Sequence, residues 1–364
     1  MTDRSKEDVG ISEGRFDRGG DEGETGEHGT LQILLPITGN GVLKPVALVH
    51  GGNLDEAARR FPRAPKPWLD LSTGINPVPY PVGALPAEAW TRLPSRADER
   101  ALLDAAARRY GVRDPAMVVA APGTQALIQL LPRLLPASRV AVIGPTYQEH
   151  EVCWARHGHD VRMVDNTATA NGADVIVAVN PNNPTGTLLK DFGRANRLLV
   201  VDEAFIDFEP ADASLAGRLP ERTVVLRSFG KTYGLAGVRL GFAIARPDMA
   251  DRLRAELGPW AVPGPALEIG RRALNDGRWL NTAATRLMAD KARLDGLLRA
   301  AGCEILGGTL LFRLARHPKA AEIVQRLGER GIHVRAFAQA PDRLRFGLPG
   351  DDPAFRRLAA ALGV

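Results

Sequence analysis

The sequence predicts an α/β protein that has a large domain built on a mostly parallel sheet and a smaller α+β domain. The chain has 364 residues, more than the roughly 150 that one domain typically holds. Between about residues 100 and 245, helical patterns alternate with short apolar runs rich in β-branched residues. This alternation is typical of parallel strands that are buried on both faces. After residue 250 a long helical segment and isolated strand candidates replace it, which predicts a second unit.

The first 45 residues are predicted to form a flexible N-terminal extension. They are rich in Gly, Glu, Asp and Arg and have few apolar positions before Leu31, so they cannot bury enough surface to offset the entropy of ordering. The apolar stretch from Leu31 to Ile37 is interrupted by Gln32 and Pro36 and has no secretory pattern before it. No stretch of the sequence approaches membrane-spanning length.

The large domain is predicted to span residues 76–249. Its expected strands are four apolar runs, each followed directly by a polar or glycine-rich turn. The runs are Val140–Ile143, Val175–Val179, Leu198–Val201 and Val224–Leu226. Because ligands bind beyond the carboxyl ends of the strands in an open α/β sheet, we expect the four turns to form one site.

The smaller domain is predicted to combine residues 46–75 with residues 250–364. A helix is expected from about Asn281 to Ala301, and a last helix from about Pro353 to Leu362. The strand candidates between them are Thr309–Leu314, Ile332–Arg335 and Leu344–Phe346.

The composition favours a folded enzyme that acts on a small molecule. Hydrophobic residues make up 45% of the chain and charged residues 24%, as in globular proteins. The formal charge of +5 is spread along the chain, which gives no support for nucleic-acid binding. Cys153 and Cys303 are the only cysteines, too few for a disulfide framework or a thiolate metal site, so we expect a cytoplasmic protein without a metal.

Lys231 is the first candidate catalytic residue. It follows a predicted strand in the string Ser228-Phe-Gly-Lys231, and a glycine-rich stretch continues to Arg239 and Gly241. A lysine that forms a Schiff base must be partly desolvated so that a fraction of its amine is unprotonated. A short S-x-x-K string alone usually marks a solvated surface lysine, but the glycines allow close approach to a ligand, and Arg239 suits a phosphate.

Two further strand ends carry polar candidates. Asp202 follows an almost wholly apolar strand, where a carboxylate needs a partner; a protonated pyridinium nitrogen would serve, and so would a helix cap or a structural ion pair. Asn183 lies in the segment NPNNPTG, which is also a common turn composition. Its amide can stabilise a phenolate oxygen.

The remaining candidates lie in the turns nearer the N-terminus. Gly123 and Thr124 open a predicted helix whose free N–H groups favour a phosphate, although Thr124 is equally well explained as an ordinary helix cap. Tyr147 follows another strand and can stack on an aromatic cofactor or make a half-buried aromatic contact.

Together these segments resemble the fold-type I enzymes that depend on pyridoxal 5′-phosphate (PLP), the aspartate aminotransferase superfamily, over most of residues 46–364. The resemblance implies the aspartate-aminotransferase-like fold, PLP as cofactor and a homodimer. The cofactor-binding residues that it implies are Gly123, Thr124, Tyr147, Asn183, Asp202, Ser228, Lys231 and Arg239. Lys231 and Asp202 are the catalytic pair in this assignment.

Within that superfamily, two N-terminal stretches resemble the L-threonine-O-3-phosphate decarboxylases of cobalamin biosynthesis. They contain His50-Gly-Gly-Asn53 and the segment WLDLSTGIN that ends at Asn76. Near the other end, Arg335 and Arg345 match the arginines that grip the acidic groups of the substrate, as an anionic amino-acid phosphate requires. The resemblance therefore makes His50, Asn53, Asn76, Arg335 and Arg345 the substrate-binding candidates.

Two positions depart from the common aminotransferase pattern. Phe205 stands where many relatives have a tyrosine that bonds the cofactor's phenolate oxygen, so Asn183 would act there alone. Leu93 stands where relatives often have a tyrosine that reaches the cofactor phosphate of the neighbouring subunit, which leaves that contact between subunits open.

The resemblance implies decarboxylation of L-threonine O-3-phosphate to (R)-1-amino-2-propanol O-2-phosphate, the cobalamin linker. The bond perpendicular to the cofactor ring is the one that breaks, and anchoring the substrate phosphate can turn the carboxylate to that position, so remote binding energy would select the reaction. One alternative is an aminotransferase acting on histidinol phosphate or a similar substrate. Another is a non-catalytic partner protein in a corrin-pathway complex.

Overall fold

The computed structural model describes residues 32–34, 45–47, 50–192 and 196–364. Within these ranges the strands are β1 (Gln32–Leu34), β2 (Pro45–Ala47), β3 (Leu69–Leu71), β4 (Val118–Ala121), β5 (Arg139–Ile143), β6 (Asp160–Val164), β7 (Val175–Val179), β8 (Leu198–Asp202), β9 (Thr223–Ser228), β10 (Gly241–Ile244), β11 (Glu304–Gly308), β12 (Phe312–Arg316), β13 (Ile332–Ala336) and β14 (Arg343–Gly347). The helices are α1 (Leu54–Arg60), α2 (Glu88–Thr91), α3 (Arg96–Tyr110), α4 (Thr124–Leu130), α5 (Glu149–Arg156), α6 (Phe229–Thr232), α7 (Pro247–Leu257), α8 (Gly264–Asn275), α9 (Gly277–Ala300), α10 (Ala320–Glu329) and α11 (Asp352–Leu362).

The larger sheet has seven strands in the order β4-β10-β9-β8-β7-β5-β6. The pairs among β5 to β9 are parallel, and β10 is antiparallel to both of its neighbours. Every residue of β7, β8 and β9 is buried, because helices and loops cover both faces of the sheet. The expectation of an α/β fold with a mostly parallel sheet is confirmed.

The four predicted apolar runs lie within β5, β7, β8 and β9, each within two residues of the observed ends. Three strands of this sheet were not predicted: β4, β6 and β10. Strand β6 is largely solvent-exposed and so has no apolar run that identifies a buried strand. Strands β4 and β10 have four residues each and contain Ala or Gly, which are less typical of strands than β-branched residues.

The smaller sheet has five strands in the order β11-β12-β14-β13-β3. Among its described strands the one parallel pair joins β3, from the N-terminal part of the chain, to β13. The predicted strand Thr309–Leu314 begins too early, because β12 starts at Phe312. The preceding residues turn the chain from β11 into β12, and the N–H of Thr309 donates to the carbonyl of Phe312 at 3.0 Å.

The helices of the C-terminal part follow their predicted positions with small shifts. Helix α9 begins at Gly277, four residues before the predicted Asn281, because the side chain of Asp276 accepts a hydrogen bond from the N–H of Trp279 at 2.9 Å and caps it. Helix α11 begins one residue before the predicted Pro353.

Hydrophobic clusters cover the larger sheet, and a separate cluster lies in the smaller one. The division into residues 76–249 and residues 46–75 with 250–364 remains a proposal. The packing favours moving its later boundary to about residue 276, because Leu267 and Leu274 of α8 belong to the cluster of the larger sheet. The predicted extension at residues 1–45 lies outside the described residues except for β1 and a part of β2, which pair antiparallel.

Candidate active site

A cavity of about 280 Å³ lies where β8 and β9 of the larger sheet end. Ten of the candidate residues line it, as expected for turns that follow neighbouring parallel strands. They are His50, Gly123, Thr124, Tyr147, Asn183, Asp202, Ser228, Lys231, Arg239 and Arg345. The remaining candidates, Asn53, Asn76 and Arg335, are not among the described residues that line the cavity.

Lys231 lies in α6, the single helical turn that follows β9. Its backbone carbonyl accepts a hydrogen bond from the N–H of Asn76 at 2.8 Å. A side chain at Gly230 would come within 2.7 Å of the Cα atom of Ala236, so the glycine allows the turn to close. Burial lowers the pKa of the Lys231 amine; Arg345 and Arg239 lower it further, and Asp202 opposes them. The amine is thus held at the cavity with an increased unprotonated fraction.

Asp202 is the last residue of β8 and only 4% exposed. Its two carboxylate oxygens have separate partners: Oδ2 lies 3.1 Å from Nε2 of His150, and Oδ1 accepts a hydrogen bond from the N–H of Ala204 at 3.0 Å. Burial alone would raise the pKa of Asp202, but the hydrogen bond and charge of His150, with the charge of Lys231, bring the pKa below its usual value. The carboxylate is therefore ionised and fixed in orientation.

Arg345 and Asn183 meet across the cavity. The Nη1 atom of Arg345 donates to Oδ1 of Asn183, and Nη2 donates to the carbonyl of Ser72 at 2.8 Å. Burial, with repulsion from Arg335, lowers the pKa of Arg345 to about 10. Because the amide oxygen of Asn183 is engaged, its amide nitrogen is the group that can donate to a ligand.

The end of the cavity near Arg239 leaves no room for extra side-chain atoms. Gly123 has a φ of +85°, and a Cβ atom there would lie 2.6 Å from Nη2 of Arg239. A Cβ atom at Gly241 would lie 2.6 Å from the backbone nitrogen of Thr124. Helix α4 has only seven residues, so the guanidinium and the hydroxyls of Thr124 and Ser228 are better placed than a helix dipole to bind an anion here.

Asn76 is not among the described residues that line the cavity, and its substrate-binding role stays a prediction. It is 1% exposed, and both polar atoms of its side chain make hydrogen bonds within the protein. The Nδ2 atom donates to the carbonyl of Thr232 at 2.9 Å, and Oδ1 accepts from Nη2 of Arg286 at 2.7 Å and from the N–H of Val78 at 3.2 Å. Asn76 therefore fixes the turn that carries Lys231.

Asn53 also lies away from the cavity. It is exposed and caps α1, where its Oδ1 accepts a hydrogen bond from the N–H of Glu56 at 3.1 Å. The Asn of the string HGGN is thus a helix cap in this structure, and its predicted substrate contact stays a prediction.

Arg335 lies on β13, directly opposite Arg345 of β14. Its Nη1 atom is buried without a hydrogen-bond partner among the described residues, which is costly unless another group supplies one. Burial lowers the pKa of Arg335, and Tyr147 opposes this shift. The buried Arg345 and the half-buried Arg335 form a pair of neighbouring positive charges.

Four residues that contact the lining side chains or their backbone were not found from the sequence: Ser72, Gln125, Glu149 and His150. Gln125 accepts a hydrogen bond from the hydroxyl of Tyr147 at 3.2 Å and donates to Glu149 at 2.9 Å. Their strand-end and helix-start positions place them near predicted candidates, but only contacts between distant parts of the chain reveal their partners.

The described residues contain no cluster of three or more His, Cys, Asp or Glu side chains suited to a metal ion. None of the helices in the described ranges combines the length and apolarity that crossing a membrane requires.

Comparisons with known proteins agree with this architecture. Residues 84–362 match the family model for aminotransferases of class I and II. The chain is 42% identical over 327 residues to the threonine-phosphate decarboxylase of Pseudomonas aeruginosa, covering 86% of this chain and 97% of that protein. It is 45% identical over 328 residues to the threonine-phosphate decarboxylase of a Sinorhizobium species, with the same coverage.

A solved structure has a similar fold. The histidinol-phosphate aminotransferase of Sinorhizobium meliloti in complex with pyridoxal 5′-phosphate gives a TM-score of 0.72 at 24% identity, covering 87% of this chain and 94% of that one.

Proposed function

Because the chain belongs to the class I and II aminotransferase family, we propose that it is a PLP-dependent carboxy-lyase that decarboxylates L-threonine O-3-phosphate. The product is (R)-1-amino-2-propanol O-2-phosphate, the linker of the cobalamin nucleotide loop. Its relatives from Pseudomonas aeruginosa and Sinorhizobium are threonine-phosphate decarboxylases at 42% and 45% identity, and each is covered over 97% of its length. This near-complete coverage is the observation that carries the proposal.

The residues of the cavity fit PLP. A buried, ionised Asp202 matches a protonated pyridine nitrogen, and the amide nitrogen of Asn183 matches a phenolate oxygen. The tight surroundings of Gly123 and Arg239 match a phosphate that the guanidinium binds. Lys231, with its lowered pKa, matches the amine that joins the cofactor aldehyde. When bound, PLP supplies an electron-accepting ring that stabilises negative charge at the substrate's α-carbon.

Asp202 and Lys231 have different roles in the proposed reaction. Asp202 would keep a proton on the ring nitrogen of the bound cofactor, and His150 fixes the orientation of that carboxylate. Lys231 would hold the cofactor through its amine, and the same amine, when free, could carry at Nζ the proton that the substrate's α-carbon takes up as carbon dioxide leaves. The Nζ atom of Lys231 lies over the ring of Phe205, 5.2 Å from its centroid. This apolar ring keeps water away from that side of the amine.

Arginines and a histidine hold the substrate's two acidic groups. Arg345 lies opposite Arg335 on the neighbouring strand, and Arg345 and His50 line the cavity. With the cofactor bound, binding energy from the phosphate would orient the substrate so that the bond from its α-carbon to the carboxylate breaks, and not the bond to its α-hydrogen. The position of the phosphate therefore decides which reaction follows.

The decisive assay compares two substrates with the cofactor-loaded protein. We expect carbon dioxide from O-phospho-L-threonine alone, and no keto product from histidinol phosphate with 2-oxoglutarate. Formation of the ketone product from histidinol phosphate, with glutamate as the second product and no carbon dioxide, would identify an aminotransferase instead. Absence of both products from protein with a loaded Lys231 would favour a non-catalytic partner.

We also propose that the enzyme is a cytoplasmic homodimer. Both cysteines are free and buried, which agrees with a reducing compartment. Trp90, Leu93 and Trp260 are 68%, 67% and 59% exposed in the single chain. Large apolar side chains exposed to this degree favour a surface that another subunit covers.

A further inference from the structure

Glu149 is a buried carboxylate at the edge of the cavity for which the mechanism above has no use. It is the first residue of α5 and only 4% exposed. Its Oε1 atom lies 3.0 Å from Nε2 of His50, and Oε2 accepts hydrogen bonds from Nε2 of Gln125 at 2.9 Å and from the thiol of Cys153 at 3.5 Å.

A buried carboxylate is costly unless a cation or several donors satisfy it. Gln125 and Cys153 are neutral donors, so His50 is the partner that can neutralise the charge. The hydrogen bond from His50 is the largest cause of the lowered pKa of Glu149. Glu149 is therefore ionised, and Nε2 of His50 carries the hydrogen that joins the pair.

The backbone that carries His50 is held separately, by contacts with Ser72. A Cβ atom at Gly51 would lie 2.4 Å from the carbonyl oxygen of Ser72, so only glycine allows this approach. The N–H of Gly52 donates to the hydroxyl of Ser72 at 2.7 Å. Ser72 thus fixes the backbone at Gly51 and Gly52, whereas the contact between His50 and Glu149 fixes the direction of the imidazole.

His50 is held at the cavity by one nitrogen only. Its side chain is 42% exposed and lines the cavity. With Nε2 engaged by Glu149, Nδ1 is the ring nitrogen that can meet a ligand. A protonated imidazole carries hydrogen on both ring nitrogens, so in that form Nδ1 can donate to an anion while Nε2 donates to Glu149.

We propose that Glu149 is a positioning residue for the substrate's phosphate, which it serves by fixing His50 at the cavity as a donor. The inference rests on the proposed function, because it takes the phosphorylated amino acid as the ligand. It also explains why an acidic residue stands beside a site for anions: the carboxylate of Glu149 is hydrogen-bonded to His50 and does not face the substrate. Glu149 touches neither substrate nor cofactor in this assignment.

The test is the variant Glu149→Gln, which keeps the size of the side chain and removes its charge. We expect the KM for O-phospho-L-threonine to rise about tenfold, as for loss of one charge-assisted hydrogen bond. The kcat should stay within about twofold, because the groups at the reacting carbon are unchanged. The Kd of inorganic phosphate for the cofactor-loaded protein, measured by calorimetry, should rise by a similar factor.

The matched control is Glu151→Gln, on the same helix two residues later and half-buried, which should change neither constant. The double variant His50→Ala with Glu149→Gln should be no worse than His50→Ala alone, because Glu149 acts through His50. If Glu149→Gln does not fold, Glu149→Asp tests the same contact with a shortened carboxylate and should also raise KM.

Unchanged KM and phosphate affinity in a folded Glu149 variant would overturn the inference, and so would equal losses from the Glu149 substitution with and without His50. Failure of the proposed function has a different signature: the unaltered enzyme would release no carbon dioxide. The calorimetric comparison would still test the pairing of Glu149 with His50 in that case.

Discussion

At the scale of single residues, the environment of Lys231 predicts how the protein takes up its cofactor. Burial lowers the pKa of the amine from its usual 10.5, so the unprotonated, reactive fraction becomes large at a lower pH than for a free lysine. We expect the rate of PLP uptake by the apoprotein to rise with pH and to level off below pH 10.5. Absorbance of the lysine-bound cofactor measures this rate.

N-acetyl-lysine amide treated with PLP under the same conditions provides the reference amine. If the rate of PLP uptake by the protein levels off only at the pH at which the rate for N-acetyl-lysine amide does, the assignment is contradicted. Replacing the residue, as in Lys231→Ala, should remove both the near-visible absorption band and turnover.

Asp202 is expected to be the most sensitive acidic residue of the site. The variant Asp202→Asn keeps the shape of the side chain and removes the charge opposite the ring nitrogen, so kcat should fall by roughly 100-fold or more. His150→Ala should cause a smaller loss, because the N–H of Ala204 still fixes one carboxylate oxygen. Steady-state decarboxylation rates measure both effects.

The control is Asp160→Asn, an exposed residue at the start of β6, which should retain full activity. An Asp202→Asn enzyme with nearly unaltered kcat would show that this carboxylate has no catalytic role.

At the scale of elements, the strands that end at or shortly before Tyr147, Asn183, Asp202 and Lys231 could be predicted because each is a continuous apolar run with a distinctive turn after it. Lys231 and Asp202 could be recognised for the same reason: the chemistry follows the strand directly. Partners of these residues could not be recognised. His150 and Glu149 stand next to each other on α5, yet one faces Asp202 and the other faces His50.

The roles of Asn53 and Asn76 show a second limit of the sequence. Both stand in strings that resemble substrate-binding stretches, but one caps a helix and the other holds the backbone of the Lys231 turn. An Asn side chain offers two donors and an acceptor to any of these uses. Which use applies depends on tertiary packing.

The loop between β2 and α1 gives an element-scale prediction. Gly51→Ala forces a Cβ atom against the carbonyl oxygen of Ser72, and this oxygen also accepts a hydrogen bond from Arg345. We expect His50 to be displaced and the KM for O-phospho-L-threonine to rise about tenfold, since small misplacements at a site are costly. The near-visible band of the bound cofactor should remain.

Gly296→Ala is the corresponding control in α9. No heavy atom lies within 4 Å of a Cβ atom at that position, so the substitution should leave KM unchanged. It should raise stability by about 0.5–1 kcal/mol, because alanine favours the helix. A Gly51→Ala enzyme with unaltered KM would count against the close packing of this loop.

At the scale of the whole molecule, the exposed side chains Trp90, Leu93 and Trp260 predict the position of the subunit contact. Helix α2, which contains Trp90, packs on the start of α8, where a Cβ atom at Gly264 would lie 2.3 Å from the carbonyl oxygen of Ala89. Trp90→Glu should place a charge in the contact and shift the protein from dimer to monomer. Sedimentation velocity distinguishes the two states.

Met288→Glu is the control for that experiment, since Met288 is also exposed, at 53%, but lies on α9. It should remain dimeric. A wild-type monomer, or a Trp90→Glu dimer as stable as the wild type, would contradict the proposed contact.

The most direct test of the proposed reaction follows the substrate's carboxyl carbon. O-phospho-L-threonine labelled with ¹³C at the carboxyl group should be incubated with the cofactor-loaded enzyme in the presence of 2-oxoglutarate. The proposed decarboxylation predicts that all converted label appears as carbon dioxide, in a one-to-one ratio with aminopropanol phosphate. Label retained in a phosphorylated 2-oxo acid, with glutamate as the second product, would contradict it.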